Sequence, residues 1–286
     1  MNNIKFAFFG TPRMAVTVLD ELEKNNFCPS VIFCAPDKPA GRKKILTPPP
    51  AKIWALERNI PIEQPQNKKE LYHAITKYTI DISLVAAYNI IIGPKSLQYA
   101  SYGTLNIHPS LLPLHRGPAP IQQTILDGDT TTGVCLMQLD EDIDHGPIVA
   151  CKSISLQGSE TYLELEELLA KIGSRLFIDS LEGYISGTIT PSAQNHSDAT
   201  FSKRFASDDG RVDLNNTTVV EIDRKVRALN PEPGTWTEIE TNKGLLQRVK
   251  ILSGTITENN YVPKRVTPAG KNEMSWDDFI KRYVNK

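Results

Sequence analysis

The order of apolar and polar positions divides the chain into elements before any single residue is considered. Residues 4 to 9 (Ile-Lys-Phe-Ala-Phe-Phe) form an apolar run that stops at Gly10, and Ala15, Val16, Leu19 and Leu22 then recur at helical spacing. The pattern predicts a strand followed by a helix. Ser30 to Ala35 reads as a second strand, residues 51 to 58 as a helix, Lys68 to Lys77 as another, and Ile80 to Ala86 as a third strand. Short buried strands alternating with helices predict parallel βαβ units, whose ligands bind beyond the carboxyl ends of the strands.

Further along, the pattern predicts a strand at Ile148 to Cys151, another at Lys152 to Leu156, and a strongly periodic helix from Thr161 to Leu181. Gly183 to His196, rich in small and polar residues and containing Pro191, reads as a linker. A further helix, from Thr217 to Leu229, carries Val219, Ile222, Val226 and Leu229 on one stripe, and Asn230-Pro231 ends it. Strands follow near Gly234 to Glu240, Leu245 to Leu252 and Val262 to Val266, with a final helix from Ser275 to Tyr283. The expected fold class is α/β: a Rossmann-like, mostly parallel sheet with flanking helices over residues 1–183, a linker over 184–203, and a small β-rich domain over 204–286.

Composition narrows the class. With 40% hydrophobic and 23% charged residues, a chain of 286 residues can bury one large or two modest cores. Met1 to Gly10 lacks a basic start followed by a long apolar stretch, and no apolar run approaches membrane-spanning length, so a cytoplasmic protein is expected. Cys28, Cys34, Cys135 and Cys151 stand in unrelated contexts without a CxxC pair, which predicts reduced core residues. Residues 203–286 hold 15 Lys+Arg against 12 Asp+Glu, whereas the rest of the chain holds 17 against 21. Clustered, that excess suits a polyanionic partner; dispersed, it is a solvated surface.

The candidate chemistry lies in Asn106-Ile107-His108-Pro109-Ser110-Leu111-Leu112-Pro113 and in Asp144 of Ile143-Asp144-His145-Gly146. Asn106 and His108, two residues apart, share one face of an extended segment. Pro109 bars an ordinary central strand from continuing, so the polar pair sits at a strand end. Singly, each residue is explained by a turn or a satisfied histidine. Together they supply a carboxamide, an imidazole and a carboxylate to one site. Phe9-Gly10-Thr11-Pro12 lacks the GxGxxG spacing and no GxxxxGK[ST] occurs, so neither NAD nor ATP is expected. Gly10 is read instead as allowing another loop to approach closely.

The order Asn-x-His-Pro-Ser-Leu-Leu-Pro, then Arg116-Gly117, then an Asp in an Asp-x-Gly turn, resembles the folate-dependent formyltransferases, and within them the methionyl-tRNA formyltransferases. Further likeness lies in Phe9-Gly10-Thr11-Pro12, in the basic loop running from Pro36 through Arg42-Lys43-Lys44 to Lys52, in Arg116 to Gln122, in Val226 to Pro231 and in Pro268 to Lys271. The resemblance implies catalytic roles for Asn106, His108 and Asp144. It implies folate contacts at Ala87, Tyr88, Asn89, Ile91, Ser110, Leu111, Leu112, Pro113 and Asp142. It implies tRNA or acceptor contacts at Gly10, Thr11, Arg42, Lys43, Lys44, Arg116, Gly117, Pro118, Arg224 and Arg227. It also implies 10-formyltetrahydrofolate as co-substrate, initiator methionyl-tRNA as partner, a monomer, no metal, and an OB-like C-terminal domain.

Two departures from the family pattern stand out. Asn89 occupies a position where the family usually carries Gly, and Asn is expected to tolerate the left-handed conformation there. Only three C-terminal strands are visible where an OB barrel has five, so a trimmed, partly open barrel is expected. The basic loop also has a reading without the family: Arg42, Lys43 and Lys44 in a flexible, proline-bounded loop suit phosphates or an unpaired base. Competing readings are a formyltransferase for another amine (a sugar nucleotide or glycinamide ribonucleotide), a non-catalytic tRNA- or folate-binding paralogue, and a metal hydrolase built from His108, His115, Asp144 and His145.

Overall fold

The computed structural model of the chain describes residues 4–41, 44–257 and 260–284. In chain order its elements are β1 (Phe6–Phe9), α1 (Arg13–Lys24), β2 (Val31–Phe33), β3 (Lys38–Ala40), β4 (Ile45–Thr47), α2 (Pro50–Glu57), β5 (Ile62–Glu63), α3 (Lys68–Ile75), β6 (Ile82–Val85), α4 (Pro94–Leu97), β7 (Thr104–His108), α5 (Pro120–Asp127), β8 (Thr131–Gln138), β9 (Ile148–Ser155) and α6 (Tyr162–Ser186). They continue as α7 (Val219–Leu229), β10 (Thr235–Glu240), β11 (Leu246–Ile256), β12 (Tyr261–Pro268), β13 (Met274–Ser275) and α8 (Trp276–Phe279). The chain divides into two compact units. The first comprises Met1–Gly117, Thr132–Ile154 and Glu166–Phe201, and the second Pro118–Thr131, Ser155–Leu165 and Ser202–Lys286.

The first unit is built on a sheet of order β5-β2-β1-β6-β7-β8-β9. The pairs β2/β5, β1/β2, β1/β6 and β6/β7 are parallel and β7/β8 is antiparallel. The expected mostly parallel α/β sheet is therefore present. Successive side chains of a strand point to opposite faces, and all four of β1 are buried. Ala7 and Phe9 belong to a core with Phe33, Leu71, Ile75 and Val85, while Phe6 meets the Phe177 ring of α6 at 6.1 Å. A Phe buried this completely contributes about 2–3 kcal/mol. Asn67 starts α3 by accepting from the N–H groups of Lys69 (3.1 Å) and Glu70 (3.0 Å).

Several expectations are corrected. The two strands expected at 148–151 and 152–156 are one, β9, whose polar half is exposed because it edges the sheet. The helix expected to end at Leu181 runs to Ser186. Gly183 packs its bare Cα against Ile189 inside the helix, and the stop falls at Gly187, at φ +76°. The stretch read as a linker begins within that helix and then pairs back onto the first unit, through Ser192 with Ile148 and Phe201 with Arg116. Cys135 and Cys151 are not reduced: adjacent strands β8 and β9 bring them together in a disulfide. Cys34 is buried as expected, but Cys28 is exposed.

The second unit contains an antiparallel meander of order β10-β11-β12-β13. Four strands stand where three were expected, because the two residues of β13 are too few to leave a periodic trace. The amphipathic stripe of α7 is realised, with Ile222 and Val226 packed with Val212, Ile251 and Tyr261. A second small core gathers Val249, Val266 and Phe279. The expected final helix is short, and its second half, Ile280–Val284, is a wider π-type turn. Among the described residues no helix is long and apolar enough to cross a membrane.

Candidate active site

The strand order reverses between β1 and β6, so the carboxyl ends of β1, β6 and β7 converge at the switch point where such sheets hold ligands. β7 delivers Asn106 and His108 there. Both are buried, and in the ladder Asn106 lies opposite Val85 and His108 opposite Cys135. The strand ends with His108 because Pro109 has no N–H to donate. No hydrogen bond joins the Asn106 carboxamide to another described residue.

His108 is held at both ring nitrogens. Nε2 lies 3.1 Å from the His115 carbonyl oxygen, which can only accept, so Nε2 carries a hydrogen. Nδ1 faces Asp144 Oδ1 at 3.5 Å. The other Asp144 oxygen accepts from the Gly117 N–H at 2.7 Å. Asp144 itself sits at φ +47°, a left-handed conformation that Asp tolerates better than most residues. His115 and Gly117 thus register the imidazole and the carboxylate against each other.

That short segment is stitched in place from far along the chain. His115 N–H donates to Thr200 Oγ1 (2.8 Å) and Arg116 N–H to the Thr200 carbonyl (2.9 Å). Arg116, expected to contact tRNA or the acceptor, is buried, and its guanidinium donates to Gln194 Oε1 (2.7 and 3.1 Å) and to His196 Nδ1 (2.9 Å). The His196 ring stacks on His145 at 4.1 Å, and His145 Nδ1 lies 2.7 Å from Asp140 Oδ2. Gln194 was missed as part of this site, because an isolated Gln in a polar stretch leaves no periodic or motif signal.

The remaining expected residues fall in several places. Gly10 lies between strand ends: its N–H donates to Phe33, and a Cβ there would meet Ala15, Phe8 and the Ala86 carbonyl. Thr11 joins three loops, accepting from Ala35 N–H at Oγ1, donating its backbone N–H to the Ala87 carbonyl and accepting from Ala51 N–H at its own carbonyl. It also lines a cavity of about 260 Å³ with Lys38, Thr47 and Asn89. In the folate-side loop the left-handed residue is Ala87, at φ +52°, and not Asn89. Burial holds the Tyr88 phenol well above its usual range and hence protonated, and its hydroxyl has no partner among the described residues. Ile91 is exposed.

The basic loop is partly ordered as the hairpin β3/β4, not wholly irregular. Its base is fixed by Lys52, which donates to Asp37 and Gln64 and holds the Asp37 carboxyl below its usual range. Lys44 is exposed, and Arg42 and Lys43 lie outside the described residues. Ser110 is buried and donates to the Leu114 carbonyl, Leu112 is buried, and Leu111 and Pro113 are half-buried. Asp142 and Pro118 are exposed. In the second unit Arg224 donates to the Leu126 and Asp127 carbonyls, capping α5, and Arg227 pairs with Asp223 and donates to the Glu160 carbonyl. Among the described residues no group of three or more His, Cys, Asp or Glu is arranged to hold a metal.

Comparison with known proteins places this geometry. Residues 3–181 match the family model described as formyl transferase, and residues 204–262 the one described as formyl transferase, C-terminal domain. A methionyl-tRNA formyltransferase of Halorhodospira halophila is 38% identical over 296 residues, covering 96% of this chain and 95% of that protein. One from Sulfurihydrogenibium sp. is 34% identical over 275 residues, covering 94% and 86%. HypX from Aquifex aeolicus, solved in complex with tetrahydrofolic acid, superposes with a TM-score of 0.71 at 14% identity. That match covers 99% of this chain, which spans about half the HypX chain (48%), and it speaks for the fold alone. A mostly parallel sheet whose strand β7 carries Asn106 and His108 beside Asp144, in a chain matched along most of its length by these models and relatives, makes this protein a member of the formyl transferase family.

Proposed function

We propose that the protein transfers the formyl group of 10-formyltetrahydrofolate to the α-amino group of methionine carried on initiator tRNA. The carrying observation is the approach of Asp144 to His108, 3.5 Å apart, on the strand face that also presents the Asn106 carboxamide, unpartnered among the described residues. The shared name of the curated relatives supports this acceptor over other amines.

In this reading Asn106 donates to the oxygen that gains charge when the amine adds to the formyl carbon, a role whose removal costs on the order of 10²–10³ in rate. His108 moves the proton lost by the amine, worth about 10²–10⁴. Asp144 orients that imidazole. The protonated Tyr88 hydroxyl, without a partner among the described residues and in the loop after β6, fits a polar ligand, which supports folate contacts at Ala87, Tyr88, Asn89 and Ile91 and, with them, at Ser110 to Pro113 and Asp142. Gly10, Thr11, Lys44 and Gly117 are read as contacts to the acceptor, as are Arg42, Lys43 and Pro118 on the sequence resemblance alone. Contacts to the tRNA or the acceptor at Arg116, Arg224 and Arg227 belong to the same reading. The protein works as a cytoplasmic monomer.

The test is incubation with 10-formyltetrahydrofolate and methionyl-initiator-tRNA, with uncharged tRNA, free methionine and amino-sugar nucleotides as controls. Formyl-methionine on the charged tRNA alone is expected. Folate turnover without it would refute the acceptor assignment.

A further inference from the structure

We infer that Gln194 is a positioning residue of the catalytic pair, its carboxamide setting where Asp144 meets His108. Gln194 is only 6% exposed. Its Oε1 accepts from Arg116 Nε at 3.1 Å and from an Arg116 terminal nitrogen at 2.7 Å. Its Nε2 donates to the Asp144 carbonyl at 2.9 Å and to the Gly146 carbonyl at 2.8 Å. Two donated and two accepted bonds use the whole capacity of a primary amide, so the group has one orientation.

The residues it joins are those that hold the pair. Arg116 stands between His115, whose carbonyl takes the His108 Nε2 hydrogen, and Gly117, whose N–H holds the Asp144 carboxylate. Gln194 therefore ties the backbone of Asp144 to the same three-residue segment that ties its side chain. Asp144 needs this second tether because its left-handed backbone, at φ +47°, is not its lowest-energy conformation. Gly146 is constrained too, its Cα lying against the Gln138 carbonyl where no Cβ fits. Without the amide, the Asp140–Gly146 turn keeps its chemistry but loses its register on His108. Gln194 touches no reacting atom and acts only through Asp144.

The inference rests on the formyl-transfer reading for its kinetic readout and not for its spectroscopic one. The full-length chain is compared with Gln194→Ala and with the near-isosteric Gln194→Glu, which keeps an acceptor for Arg116 but cannot donate to the two carbonyls. With histidine ring nitrogens labelled by ¹⁵N, the His108 resonances at one fixed pH are expected to move in both variants as they move in Asp144→Asn. A misplacement near 1 Å costs on the order of 10²-fold, so kcat should fall by about that factor while KM for the folate stays within about threefold. Unmoved His108 resonances, a kcat near wild type, or a change in KM alone would overturn the inference. So would failure of both variants to fold, since the role would then be structural. If wild type itself shows no formyl transfer, that reading fails and the His108 resonances alone decide this one.

Discussion

Replacing Asp144 with Asn isolates the charge that faces His108. The side chain keeps its shape, and its remaining oxygen can still accept the Gly117 N–H that the carboxylate now holds at 2.7 Å. What changes lies 3.5 Å away, at His108 Nδ1. Opposite unit charges at that separation attract by about 5 kcal/mol at an effective dielectric of about 20. Both side chains are largely buried, at 5% and 13% exposure, so solvent screens little of this. Part of it is offset by the desolvation of the carboxylate, leaving about 3–4 kcal/mol for the transition state, in which His108 carries the transferred proton. The expected loss in kcat is therefore about 10²–10³-fold. Folding stability should change by about 1 kcal/mol or less, because the hydrogen bond survives. The assay is steady-state formylation of methionyl-tRNA, with thermal unfolding measured on the same preparation. A folded Asp144→Asn protein with kcat within about threefold of wild type would refute the assignment of Asp144 as the orienting group.

Other outcomes follow from the packing. Gly10→Ala places a methyl group 2.6 Å from Ala15 Cβ and from the Phe8 ring, and 2.7 Å from the Ala86 carbonyl. Urea unfolding should show a loss of about 1–3 kcal/mol, and unchanged stability would mean that the strand ends are looser than described. Trp236 donates from Nε1 to the Ser207 carbonyl at 2.7 Å under the Arg248 guanidinium, whose carbon lies 3.8 Å from the ring centroid. Trp236→Ala should destabilise by about 3–5 kcal/mol and Trp236→Phe by clearly less; equal losses would argue against a packing role for the ring. Thiol titration without reductant should find two thiols in denaturant, Cys28 and Cys34, because Cys135 and Cys151 are bonded. In the native protein near pH 8 only Cys28 should alkylate, since burial pushes the Cys34 thiol up to about 11 and holds it protonated; four thiols on denaturation, or fast native labelling of Cys34, would contradict this.

The elements of this protein were legible where the physics is local. Strand parity put Asn106 and His108 on one face, helical spacing marked α1 and α7, Pro109 set the end of β7, and the bare Cα of Gly10 signalled a close approach. Each follows from backbone geometry and sterics within a few residues, so the sequence alone could carry it. Motif order added the candidate pair of His108 with Asp144 and, through resemblance, the family. Tertiary structure decided whatever depends on which distant segments become neighbours. The sheet order places Cys151 beside Cys135, while side-chain hydrogen bonds set Arg224 under the end of α5 and Gln194 against Arg116 and Asp144. A hydrogen bond between residues 78 positions apart leaves no periodicity in either segment, which is why Gln194 read only as linker. Periodicity records which face of an element is buried; only the folded chain determines which groups meet on that face, because burial is proportional to area whereas hydrogen bonding requires particular atoms in particular directions.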